Sequence, residues 1–229
     1  MTHIILGEQV RMPVEVRSAS ACSALFTSPV DAARGLLSHT GLEPVRTVRG
    51  RALCSLAFVR YTDGDLGPYH EFALALLARL PGERKSVGAY IHWLPVNQGF
   101  TLQAGRSIWG FPKELADIDI RFTGRAHVCV VRKDGQLVLA LRVRRGLPVP
   151  PGTGGTSVDA YTHQDGVLRR TPWRMRPARV RARPGGARLL LGDHPAADPL
   201  RALRLSRSAL TTSEIGILRM TFDDAREIG

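Results

Sequence analysis

Alternation of apolar and polar positions dominates the chain. Val10, Met12, Val14 and Val16 alternate with Arg11, Pro13, Glu15 and Arg17. A period of two predicts a strand with one face buried and the other in water. Residues 51–61 form a further apolar run, read as a strand leading into the loop Thr62-Asp63-Gly64-Asp65. From Phe72 to Leu80 the chain is apolar on both faces, and periodicity alone leaves helix and strand open there. Residues 86–94 read as another strand. The clearest hairpin spans 126–143, where two Val/Leu-rich runs flank Lys133-Asp134-Gly135-Gln136 with its Asp-Gly turn signal. A second hairpin turns at Gln164-Asp165-Gly166, and strands are expected near 187–192 and 214–222. Helices are few. One is expected after Ser28 as N-cap, with Pro29 at its first position, Asp31 in its first turn and Gly41 to end it; another is expected near 198–204. The Pro/Gly-rich stretch 147–155 reads as a surface loop, because the strands on either side are too few for two cores. The pattern predicts one α+β domain over residues 1–229, mostly antiparallel β.

Composition narrows the partners. With 229 residues, 44% hydrophobic and 23% charged, the chain suits a single globular domain. No apolar run approaches the roughly 20 residues of a membrane span, so no membrane partner is expected. The start, Met1-Thr2-His3-Ile4, lacks the basic and apolar regions of a secretory signal. Cys22, Cys54 and Cys129 are scattered and fit neither a disulfide framework nor a zinc site, which predicts a reducing, cytoplasmic location. No histidine stands at a metal-ligand spacing from another donor, so no metal is expected. The formal charge of +12 raises nucleic acid as a partner. However, the densest basic stretch, Arg169 to Arg183, sets Arg174, Arg176, Arg179, Arg181 and Arg183 largely at alternate positions. That spacing describes the solvated outer face of a sheet. Trp173 is its only aromatic, which gives no stacking platform for single strands. Nucleic acid is not the expected partner.

Lysine is scarce: of 32 basic residues only Lys85, Lys113 and Lys133 are lysines. Lys85 and Lys133 sit in polar turns and are expected to be solvated. Lys113 follows Ile108-Trp109-Gly110-Phe111-Pro112, flanked by large aromatics and a rigid proline. Burial lowers a lysine pKa from about 10.4 by as much as about 3–5 units, which frees the amine to act as a nucleophile. By itself the local sequence favours, by a small margin, a snorkelling lysine whose stem packs on Trp109.

A resemblance separates these readings. Gly105-Arg106-Ser107-Ile108-Trp109-Gly110-Phe111-Pro112-Lys113 resembles the segment around the Schiff-base lysine of acetoacetate decarboxylase-like proteins. Leu66-Gly67-Pro68-Tyr69-His70-Glu71 resembles that family's Gly-x-Tyr-x-Glu element, and Arg188-Leu189-Leu190-Leu191-Gly192-Asp193-His194-Pro195 its closing strand and turn. The resemblance implies a cone-shaped antiparallel β-barrel with a few short helices, assembled as a homo-oligomer. It implies a lyase that needs no cofactor and decarboxylates a small keto acid through an iminium on Lys113, with Glu71 beside the amine. Trp109 and Phe111 would line the pocket, while Arg17, Arg11 or Arg106 would hold the substrate carboxylate.

Three departures set this chain apart. The lysine that follows the catalytic one in the family is Glu114 here, a second family glutamate aligns with Leu56, and the carboxylate-binding arginine has no unique counterpart. These changes predict poor use of acetoacetate itself and a preference for a larger keto acid. They also keep aldolase- or dehydratase-type imine chemistry in view. A barrel that binds a small molecule without turnover is the remaining alternative.

Overall fold

The computed structural model describes residues 1–83, 86–150 and 156–228. Strands β1 (Thr2–Ile5) and β2 (Glu8–Arg11) form a small hairpin. The alternation expected to run unbroken through residues 10–17 is interrupted, because Pro13 lacks the N–H a ladder needs and β3 (Val14–Ser28) begins after it. Ser28 ends β3 instead of capping the helix that follows. Its hydroxyl donates to the Leu203 carbonyl, 2.5 Å away, and α1 (Val30–Leu37) starts with no side-chain cap. That helix also stops short of Gly41.

Strands β4 (Glu43–Pro44), β5 (Ala52–Gly64), β6 (Tyr69–Arg79) and β7 (Gly88–Val96) come next. The ambiguous segment from Phe72 is therefore a strand. The expected loop at 62–65 is mostly strand as well, because Asp63 and Gly64 continue the ladder with β3. After β7 the chain forms α2 (Gly99–Trp109), then β8 (Lys113–Leu115), β9 (Asp117–Phe122), β10 (Ala126–Lys133), β11 (Gln136–Arg144) and β12 (Leu147–Pro148). So the stretch expected as a loop from 147 opens with a short strand paired to β14, while its residues 151–155 lie outside the described residues. The last elements are β13 (Thr156–Gln164), β14 (Val167–Pro184), β15 (Ala187–Leu191), α3 (Asp198–Ala202), β16 (Thr211–Phe222) and β17 (Arg226–Glu227). Both hairpins turn where expected. Asp134-Gly135 and Asp165-Gly166 each place two successive residues at positive φ, the geometry that joins twisted antiparallel strands.

Seven strands close a barrel in the order β6-β5-β3-β16-β14-β13-β7, with β7 pairing back onto β6. All contacts in it are antiparallel except β13 against β7. A four-stranded antiparallel sheet, β15-β11-β10-β9, covers one flank. Two cores result from the strand alternation. Leu56, Phe58, Phe72 and Leu74 point outward and pack with Cys129, Val131, Leu139 and Leu141 of the covering sheet. Val14, Val16, Tyr61, Tyr69 and Val96 point inward and pack beneath α2. The outer arginines of β14 behave as the alternation predicts up to Arg176: Arg174 and Arg176 are exposed, and Arg174 is held in a two-pronged pair by Asp223. Among the described residues, no helix is long and apolar enough to cross a membrane.

Candidate active site

Helix α2 is absent from the reading of the sequence, yet it shapes the site. It has signals at both ends. The Gln98 side chain accepts from the Thr101 amide, and Gly110, at φ 64°, donates its amide back to the Arg106 carbonyl, a glycine stop in the left-handed region. Its buried positions, Thr101, Leu102, Ala104, Gly105, Ile108 and Trp109, repeat with helical spacing. Phe111 and Pro112 then turn the chain so that Lys113 opens β8, parallel to β7 and level with Leu94.

Thr101 and Gly105 lie one helical turn apart and face the Lys113 stem. The amine donates to Thr101 Oγ1 at 2.9 Å. At Gly105 a methyl group would stand 2.5 Å from Lys113 Cδ and 2.7 Å from Cε, so any larger residue would force the lysine stem or the helix to shift. Arg106 fastens the backbone, its Nε donating to the Lys113 carbonyl at 2.7 Å. Ala in place of Gly ordinarily stabilises a helix interior by about 0.5–1 kcal/mol. Gly105→Ala should do the reverse here, lowering the melting temperature by a few degrees and the reactivity of the amine at least about tenfold. Wild-type reactivity in that variant would show that the stem has space to move.

Glu71 reaches the same point from β6. Alternation sends Tyr69, Glu71 and Ala73 inward, while His70 turns outward, its Nδ1 3.0 Å from the Ile118 carbonyl. Glu71 Oε2 lies 3.1 Å from Lys113 Nζ, and Tyr61 donates its hydroxyl to Oε1 at 2.8 Å. Tyr61 stacks on Tyr69 with centroids 4.1 Å apart, and the amine sits 5.0 Å from the Tyr69 ring centre. Only 3% of Lys113 and 7% of Glu71 is exposed. Burial pushes the Lys113 pKa below the ordinary lysine range, and the nearby Glu71 carboxylate opposes that fall. Burial, reinforced by Glu71, raises both tyrosines and keeps them protonated.

These groups open onto a cavity of about 310 Å³ inside the barrel. Trp109 and Phe111 line it, and the Trp109 indole is anchored by donating to the Asp223 carbonyl at 2.8 Å. The other walls are mostly aliphatic and aromatic, and among its lining residues Glu71 and Lys113 are the only charged ones. The structure does not bring the arginines there. Arg17 stands on the outer face of β3, bound by Asp63 and Asp65, because its neighbour Val16 takes the inward position. Arg106 keeps its guanidinium largely in solvent, and Arg11 is exposed on β2. Leu56 belongs to the core beneath the covering sheet, so the residues that face the cavity at that level are its neighbours Ser55 and Ala57.

Glu114 also turns away from the amine. Its carboxylate accepts from Trp93 Nε1 and pairs with Lys133. Lys133, expected in solvent, is therefore half-buried in an ion pair; Lys85 lies outside the described residues. The cysteines are free and buried, and burial pushes the Cys54 thiol up to about 12, which leaves it unreactive at neutral pH.

The comparisons with known proteins agree with this architecture. The family model for acetoacetate decarboxylase matches residues 7–224. No curated protein matches the chain in sequence. Among solved structures, the acetoacetate decarboxylase of Legionella pneumophila superposes with a TM-score of 0.72 at 16% identity, covering 95% of this chain and 87% of that one. The enduracididine biosynthesis enzyme MppR complexed with pyruvate gives 0.69 at 17% identity, over 96% and 92% of the two chains. An acetoacetate decarboxylase-like enzyme from Sphingomonas wittichii RW1 gives 0.67 at 13% identity, over 100% and 99%.

Proposed function

Since the chain belongs to the acetoacetate decarboxylase family, we propose that it is a lyase acting on a keto acid through a Schiff base on Lys113. The observation that carries this reading is a buried amine of lowered basicity, 3.1 Å from a buried carboxylate, at the wall of an apolar cavity. The neutral amine adds to the substrate ketone and the carbinolamine loses water to give an iminium. In a β-keto acid the bond to the carboxylate then breaks, carbon dioxide leaves, and the electron pair moves into the iminium to form an enamine. Protonation at carbon and hydrolysis of the imine return the amine. Glu71 accepts the proton released as the amine adds and returns it later, a task its distance permits. Tyr61 holds the carboxylate for that exchange. The apolar walls favour loss of the charged carboxylate as a neutral gas.

Among the described residues no arginine lines the cavity, which favours a second reading of the same imine. Without a fixed partner for the carboxylate, the enamine serves equally for aldol or dehydration chemistry on a keto acid. The test is a panel of keto acids and ketones incubated with borohydride, followed by peptide mapping and product analysis. The proposal expects a stable secondary amine on Lys113 and, for β-keto acids, release of carbon dioxide. Trapping without carbon dioxide would select the aldol-type reading. No trapping by any member would leave a binding barrel without turnover.

A further inference from the structure

The barrel interior changes character on one side of the lysine. Small closed barrels are ordinarily filled by their inward side chains. Here the register sets out the inner layers in turn. Tyr61 pairs with Tyr69, Val59 with Glu71, and Ala57 with Ala73, while Ser55 follows two residues beyond Ala57. On the neighbouring strand Ala21 is level with Val59 and Ser23 with Ala57. So one side of the Lys113–Glu71 pair is closed by stacked tyrosines, while the other is lined on β3, β5 and β6 by the small residues Ser23, Ser55, Ala57 and Ala73, with Ile91 and Leu94 of β7 completing the wall. The Ser23 hydroxyl is engaged with that of Ser213 at 2.8 Å.

We propose that these small residues form a channel for an unbranched alkyl tail, so that the substrate is a keto acid with a medium-length chain. The proposal rests on the Schiff-base reading of Lys113, which fixes the ketone at one end. Two successive inner layers span about 13 Å of strand, or about 10 Å along the axis of a barrel with ordinary tilt. That length accommodates about six to eight extended carbon–carbon bonds. The cavity volume of about 310 Å³ agrees, holding roughly ten water-sized groups at about 30 Å³ each. Among the described residues nothing charged lines the channel beyond the Lys113–Glu71 pair, so a second ionised group on the tail would be left without a partner.

The experiment uses straight-chain methyl ketones from 2-butanone to 2-decanone, read as the concentration giving half-maximal borohydride trapping on Lys113. In the wild type this concentration should fall about three- to four-fold per added methylene, then level off near the channel's length. Ala57→Leu and Ala73→Leu each project a bulky side chain into the layer next to Glu71. Each should cut the long-to-short preference at least about tenfold. Ala73→Val, a smaller change suited to a strand, should give an intermediate ratio if either leucine variant fails to fold. A wild-type series with no dependence on length would overturn the channel, as would a length preference unmoved in folded variants. Failure to trap any ketone would overturn the Schiff-base reading instead, and the channel with it.

Discussion

Lys113→Arg should abolish both ketone trapping and turnover, a fall of more than about 10⁴-fold. The variant isolates chemistry from structure. Arginine keeps a cation beside Glu71, so the buried carboxylate is not left alone, a situation that costs about 3–5 kcal/mol when a partner is deleted outright. Yet guanidinium stays protonated at any accessible pH and has no lone pair to offer a ketone. The crowding at Gly105 means that the longer side chain must shift the helix slightly, so melting temperature and circular dichroism should accompany the assay. A folded variant that still turns over keto acid would remove Lys113 from the mechanism.

Much of this site was legible in the sequence, for reasons that are local. A rare lysine between aromatics and after a proline marks an unusual setting, and both hairpins announce themselves through Asp-Gly. What the sequence conceals is set by non-local pairing. The helix Gly99–Trp109 contains two glycines and two β-branched residues, Thr101 and Ile108; weak propensity hides a helix that tertiary packing supports. Closure of the barrel through β6 and β7, and the parallel match of β13 with β7, leave no signature in either strand alone.

The arginines teach a different lesson. The alternation that buries Val14 and Val16 already requires Arg17 to face outward, so periodicity alone argues against its place in the cavity. Leu56 follows the same rule: its parity assigns it to the core under the covering sheet. A family alignment locates a position in sequence, whereas the strand's alternation decides which way that position points.

Glu71→Gln should separate the two roles of the carboxylate. Its charge opposes the fall in the Lys113 pKa that burial produces, so in the wild type the free amine appears with rising pH at a midpoint below that of an ordinary lysine. Removing the charge removes the opposition. The midpoint for trapping should therefore move further toward acid, and a larger fraction of the amine is neutral at any pH near that midpoint. Turnover should nonetheless fall by about 10²–10⁴-fold, the usual contribution of a positioned acid–base group, because the amide cannot carry protons to and from the addition intermediates. Glutamine keeps an oxygen for the Tyr61 hydroxyl, which preserves the local packing. The decisive measurement is the pH profile of borohydride trapping beside the pH profile of turnover. A more nucleophilic lysine in a slower enzyme is the expected pair of results. A midpoint that stays in place or moves toward base would mean that Glu71 does not set the basicity of the amine, and an unchanged turnover would confine it to holding Tyr61.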